Sequence, residues 1–195
     1  MSRFTALETA VLADVDVKTV HNVIEDVLPE IAGPARTLSA TDAVIVKLAT
    51  SLTPYLTREA KRRFAREIRQ APHQRQISLD SLELDIARFR AFVAERMQLL
   101  RALRHLATMD EDILGGEAVF RGTRVPVAMI AAMVEAGEAV ADIRDAYPQV
   151  DENQITLAPL WVKTYPRRGR PRPRPWAVAG GRAKRTTRRR VESAA

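Results

Sequence analysis

Three groups of residues in this sequence have types and spacings that could do chemistry. Val17, Lys18, His21 and Asn22 fall at spacings that share one side of a helix, because positions three and four apart are neighbours there. A cation, an imidazole and an amide at the N-terminal half of a short helix suit base edges in a major groove, with Thr19 beside the phosphate backbone. The second group, Asp110, Glu111 and Asp112, is three consecutive carboxylates. Three adjacent side chains cannot all face one ion, so a solvated turn is expected there instead of a metal site. The third is the run Arg167, Arg168, Arg170 and Arg172, interleaved with Gly169 and Pro171. Guanidinium groups stay charged and bind carboxylate or phosphate through paired donors, so this run suits an anionic partner.

Other chemistries lack their residues. The chain of 195 residues has no cysteine and three scattered histidines, His21, His73 and His105, so thiol catalysis and local metal-ligand motifs are excluded. Gly115-Gly116 is not followed by Lys-Ser or Lys-Thr, so the loop is no nucleotide-binding P-loop. No Ser/His/Asp grouping stands out, and no catalytic residue, metal ligand or cofactor is assigned. No apolar run approaches the roughly 18 residues of a membrane span. No secretory signal is visible at Met1–Thr5, so the cytoplasm is the expected location.

The elements that must position these groups read as mainly α-helical. Ala6–Leu12 and Asp16–Val27 are short helical patterns, with Val20, Val23 and Ile24 facing inward. Asp14 stands at the turn where a positive φ is wanted, Val15 plugs the corner, and Asp16 caps the second helix. A third helix spans Ser39–Ser51 and a fourth Arg58–Arg69, capped by Thr57, with Phe64 and Ile68 on its apolar side. Lys61, Arg62, Arg66 and Arg69 read as its solvated face. Ile77–Leu84 alternates and contains a short strand, with a slip at Asp80-Ser81.

A long helix follows over Asp85–Ala107. Its apolar positions Leu82, Ile86, Phe89, Val93, Met97, Leu100 and Leu103 come close to a heptad seam, which suits either a packed core helix or a helical dimer contact. Glycines then bracket Ala118-Val119-Phe120, a turn–strand–turn signature. Three helices, Val127–Ala136, Val140–Tyr147 and Asp151–Lys163, are separated by Gly137 and Pro148.

Charge is divided sharply along the chain. Eleven of the 31 basic residues but one of the 24 acids lie in residues 164–195, giving that tail +10 and the remainder −3. Pro166, Pro171, Pro173 and Pro175 predict an extended polyproline-like stretch, and the residues beyond Trp176 hold too little apolar material to fold alone. The tail reads as an interaction arm, and Trp161 and Trp176 as packing anchors.

The stretch Ala10–Ile24, with its small Ala10 and Ala13, turn residue Asp14 and buried Val15, resembles the helix-turn-helix of the LacI and MerR repressor families; the alternative is a purely structural helical corner. The string Leu114-Gly115-Gly116, Arg121-Gly122-Thr123-Arg124-Val125-Pro126-Val127, Gly137 and Tyr147-Pro148 resembles the bacterial family called domain of unknown function 433, over about residues 108–163. Ala118 departs from that family's more usual proline. The resemblance implies a VapB-type antitoxin that partners a PIN-domain ribonuclease, and longer members end in a similar Pro-Arg-Arg-Gly-Arg-Pro segment. A guanidinium from Arg167, Arg168, Arg170 or Arg172 would then compete with the metal in the toxin's carboxylate cluster.

The expectation is therefore a four-part chain: residues 1–75, a helix-turn-helix domain contacting operator DNA; 76–107, a short strand and linking or dimerising helix; 108–163, a family-433-like domain of three helices, itself helix-turn-helix-like, and a small hairpin; and 164–195, the basic arm, disordered when free. It implies a non-enzymatic antitoxin that also represses its own operon, as a homodimer or a toxin–antitoxin hetero-oligomer, without membrane association. The alternative is a stand-alone helix-turn-helix regulator whose tail raises DNA affinity.

Overall fold

Short polar residues start most of the helices. A computed structural model describes residues 3–31, 37–79 and 82–166. Helix α1 (Ala6–Ala13) begins in a reciprocal capping box, Thr5 with Glu8. Helix α2 (Val17–Val27) is capped by Asp16, which accepts from the Thr19 amide. Helix α3 (Ala40–Ser51) uses the box Ser39/Asp42, and α4 (Arg58–Gln70) is capped by Thr57. Each cap satisfies backbone donors that the helix itself leaves unpaired. The described residues are mainly helical, as the apolar periodicity predicts.

The alternating stretch is two strands rather than one. Strands β1 (Gln76–Leu79) and β2 (Leu82–Asp85) pair antiparallel, with Ile77 opposite Leu84. The slip in the alternation, Asp80-Ser81, lies outside the described residues. Helix α5 (Ala87–Leu106) then runs for twenty residues. Strand β3 (Ala107–Thr108) leads directly out of it and pairs with β4 (Val119–Phe120) across the acidic loop. The partner of Val119–Phe120 thus lies upstream of the glycine pair, so the hairpin is wider than its bracketing glycines suggest. The Gly122 turn instead folds Val125-Pro126 back onto β4, with Phe120 N–H donating to Val125 O at 3.0 Å.

Helices α6 (Val127–Glu135), α7 (Val140–Ala146) and α8 (Glu152–Thr164) complete the described chain. Gly137, at φ 87°, ends α6. Its N–H donates to Val134 O and that of Glu138 to Met133 O, the paired bonds of a left-handed helix stop.

One hydrophobic cluster runs from Phe4 and Leu12 through Ile45, Phe64 and Leu100 to Phe120, Ile143 and Trp161. Helix α5 packs against α1, α3 and α8, and its seam residues Ile86, Val93, Leu100 and Leu103 are buried inside the chain. Most of the seam therefore packs within the same molecule, while its members Phe89 and Met97 are half-buried. Leu82, the seam's expected first member, sits instead on β2 and is 41% exposed. No helix among the described residues is long and apolar enough to cross a membrane.

Candidate interaction surfaces

The corner between α1 and α2 is built around one left-handed residue. Asp14 adopts φ 55°, ψ 58°, and its N–H bonds back to α1. Its carboxylate also pairs with Arg96 of α5 at 2.9 Å, while the same guanidinium donates to the Val11 carbonyl and lies over the Phe92 ring. One arginine of the long helix thus holds both the turn and the end of α1. Val20, Val23, Ile24 and Val27 lock α2 inward against α1, α3 and α4.

That packing decides which of the five expected DNA-contacting residues are presented. Lys18 and Asn22 are exposed, whereas Val17, Thr19 and His21 are half-buried. Thr19 is already engaged: its hydroxyl donates to Asp16 Oδ2 at 2.6 Å and its amide to Oδ1 at 2.8 Å. These bonds, the hydroxyl's first, hold Asp16 below the ordinary carboxylate range. The Thr19 hydroxyl must leave Asp16 before it can serve a phosphate. The basic face of α4 is also partly spent. Arg58 pairs with Asp26 at 2.6 Å, Arg62 donates to the Asp26 carbonyl at 2.6 Å, and Arg69 binds both Asp42 and Glu30. These cations fasten α4 to the end of α2 and the start of α3, so Arg62 and Arg69 are not simply solvated.

The glycine- and arginine-rich string of the C-terminal half joins two helices. Arg121 donates through Nε to the His105 carbonyl at 3.0 Å, satisfying an acceptor left at the end of α5. Thr123 Oγ1 donates to Phe120 O and accepts from Val125 N–H, each at 3.0 Å, which closes the Gly122 turn. Val125 and Val127 are buried and Pro126 precedes α6, where its fixed φ suits a helix start. Asp110–Asp112 form the exposed turn expected of them, with Asp112 N–H on Asp110 Oδ1 at 3.0 Å. Leu114, Gly115 and Gly116 then all have positive φ.

A cluster that sequence reading missed ties the two ends of the described chain together. Glu8, 6% exposed, accepts at Oε1 from Arg104 Nε at 2.9 Å and from the Tyr165 hydroxyl at 3.0 Å. Its other oxygen accepts the Thr5 amide. Burial alone would push the Glu8 carboxyl up, yet the bonds from Arg104, Thr5 and Tyr165 and the Arg104 charge together hold it below its ordinary value. Tyr165 is pushed up to about 12, first by burial and then by the Glu8 charge. Arg104 also stands over the Phe4 ring, and Tyr165 packs on Trp161, the expected anchor, with ring centroids 5.4 Å apart. Glu8 and Tyr165 are 157 positions apart, so no local spacing signals the contact.

Beside this cluster lies a groove of about 730 Å³ whose walls include Leu7, Met109, Asp110, Glu111, Ala128 and Trp161, and which Tyr165 and Pro166 also line. Met109 is 71% exposed and nearby Leu114 55%. The arm residues Arg167, Arg168, Arg170 and Arg172, like Trp176, lie outside the described residues.

Residues 108–160 match the family described as "Protein of unknown function (DUF433)". Over 185 residues the chain is 33% identical to the uncharacterized protein y4eO of Sinorhizobium fredii (strain NBRC 101917 / NGR234), covering 86% of this chain and 83% of that one. No solved structure matches significantly.

Proposed function

The chain belongs to one family with y4eO and carries a DUF433 region at residues 108–160, and from that premise we propose that it is the antitoxin of a toxin–antitoxin pair. In this reading the Arg/Pro arm enters the carboxylate cluster of a PIN-domain ribonuclease, and the α1–α2 corner binds operator DNA to repress the shared operon. The observation that carries the reading is the anchorage of Tyr165. A clamp of Glu8, Arg104 and Trp161 fixes the last described turn, and the eleven basic residues of 164–195 follow directly from it. An inhibitory arm works best from a fixed origin, because less freedom is then lost when it binds. Arg167, Arg168, Arg170 and Arg172 supply guanidinium groups that displace a divalent cation by pairing with its carboxylates.

On the DNA side, Lys18 and Asn22 face outward from a helix locked by its inner valines. Lys18 is the one cation on α2, which also bears Glu25 and Asp26, so a single copy grips phosphate weakly. Two copies reading half-sites about 34 Å apart restore affinity. The seam residues Ile86, Val93, Leu100 and Leu103 are buried in the chain's own core, which favours a dimer contact on another surface.

Co-expression with the product of the adjacent gene, followed by size-exclusion chromatography and a ribonuclease assay, tests the proposal. The expected result is a stable, inactive complex that regains Mg²⁺-dependent cleavage when residues 167–195 are deleted. A complex that stays inactive after the deletion moves inhibition to the folded body. Absence of any complex overturns the antitoxin reading in favour of a stand-alone regulator.

A further inference from the structure

We infer that the groove beside Tyr165 is the resting dock of the chain's own arm, residues 167–175, which the folded body holds against itself until a stronger anionic partner removes it. Position is the first argument. Tyr165 and Pro166 line the groove, so the arm starts from inside it. Nine residues in an extended polyproline conformation reach about 28 Å, at about 3.1 Å per residue, which is ample to cross the groove and its rim.

The chemistry of the groove matches the arm as well. The rim carries Asp110 and Glu111, both exposed, with Asp112 on the same turn, while the walls include Leu7, Met109, Ala128 and Trp161. An Arg/Pro sequence offers the complement of each: guanidinium groups for the carboxylates and proline rings for an apolar, aromatic-walled channel. The charge of the parts agrees, with +10 in residues 164–195 and −3 in the remainder. Two of the four large apolar side chains that stand exposed among the described residues, Met109 and Leu114, belong to this one loop, and Met109 lines the groove, where an occupant would cover it.

Tethering makes even a weak match effective. A segment joined at Pro166 meets the groove at a local concentration in the millimolar range. Docking in this way withholds the arm from indiscriminate polyanions and sets a threshold that a carboxylate-rich or phosphate-rich partner must exceed. The inference concerns the chain alone and stands whether or not a ribonuclease is its partner.

Limited trypsin digestion of the full-length chain, followed by mass spectrometry, tests it. Arg170, Arg172 and Arg174 each precede proline and resist cleavage, so the reporters are the bonds after Arg167 and Arg168. The cluster 182–190, outside the proposed dock, is the internal reference. At low salt, cleavage after Arg167 and Arg168 should be at least about tenfold slower than at 182–190. It should approach the reference rate in the D110N/E111Q variant, in the R170A/R172A/R174A variant, and at high salt, where screening weakens the pairing. The second variant leaves the folded body untouched, and both correct for protection that comes merely from nearness to it. Equal cleavage in the native chain and both variants overturns the dock. Protection that grows with protein concentration also overturns it, assigning the groove to the arm of a second copy.

Discussion

Tyr165 donates its hydroxyl hydrogen to Glu8 Oε1 at 3.0 Å, closing the end of α8 onto the first helix of the chain. The same oxygen takes Arg104 of α5, so three elements meet on one buried carboxylate. Removing the carboxylate charge leaves Arg104 without its ion-pair partner, whereas removing the hydroxyl deletes one bond of several. Glu8→Gln should therefore lower stability by about 2–3 kcal/mol and Tyr165→Phe by about 1 kcal/mol. Denaturant unfolding of the two variants checks the order. A larger loss from Tyr165→Phe would show the carboxylate not to be the centre of the cluster.

The cluster also sets a pH window. Glu8 is held below its ordinary value when folded, so its contribution is present above the unfolded carboxylate value of about 4.5 and is lost as pH falls through the lower folded one. Tyr165 behaves oppositely. Its folded value of about 12 exceeds the ordinary 10.0, so stability is retained below pH 10 and lost as pH rises from 10 towards 12. Tyr165→Phe should flatten the alkaline loss and reduce, without abolishing, the acid limb, because Arg104 and Thr5 still hold Glu8. Melting temperature measured across pH reads both limbs.

Asp14 holds a left-handed conformation that a β-carbon disfavours, and its carboxylate pairs with Arg96. Asp14→Ala keeps the strain and removes the pairing, while Asp14→Gly removes both. The alanine variant should be less stable than the native chain by about 1–2 kcal/mol, with the glycine variant closer to native. Equal losses in thermal unfolding would mean that the Arg96 pair, not the backbone, dominates this turn.

Gly137 ends α6 at φ 87°, and a β-carbon built there meets nothing within 4 Å. The expected cost of Gly137→Ala, about 1 kcal/mol, is therefore conformational and not steric. Gly137→Asn should recover part of it, because asparagine tolerates the left-handed region. Chemical denaturation of the pair measures both effects.

Lys18 and Asn22 are exposed, so replacing both with alanine should change stability by less than about 0.5 kcal/mol. If α2 reads DNA, the same change should weaken binding to the chain's own promoter at least tenfold, each lost base contact costing about 1–3 kcal/mol. Fluorescence anisotropy at fixed salt measures it. Unchanged affinity would remove α2 as the reader.

Local structure was readable because it depends on near neighbours in the chain. Thr5 with Glu8, Ser39 with Asp42 and Asp151 with Gln154 announce helix starts from residues three apart. Asp14 and Gly137 mark their turns through their own backbone preferences. The pairing of Val119-Phe120 was harder. Its glycine brackets are local, but its partner Ala107-Thr108 is chosen by where α5 delivers the chain.

The sequence by itself determined the helices, their caps, the basic arm and the string that closes the Gly122 turn, since periodicity, capping and net charge are sums over adjacent residues. Only the tertiary structure decided that most of the α5 seam packs within the molecule, that Thr19 is held by Asp16, and that Glu8, Arg104 and Tyr165 meet. An apolar stripe states that it needs a partner without saying which, and a buried carboxylate is satisfied by whichever donors the packing of distant helices brings to it.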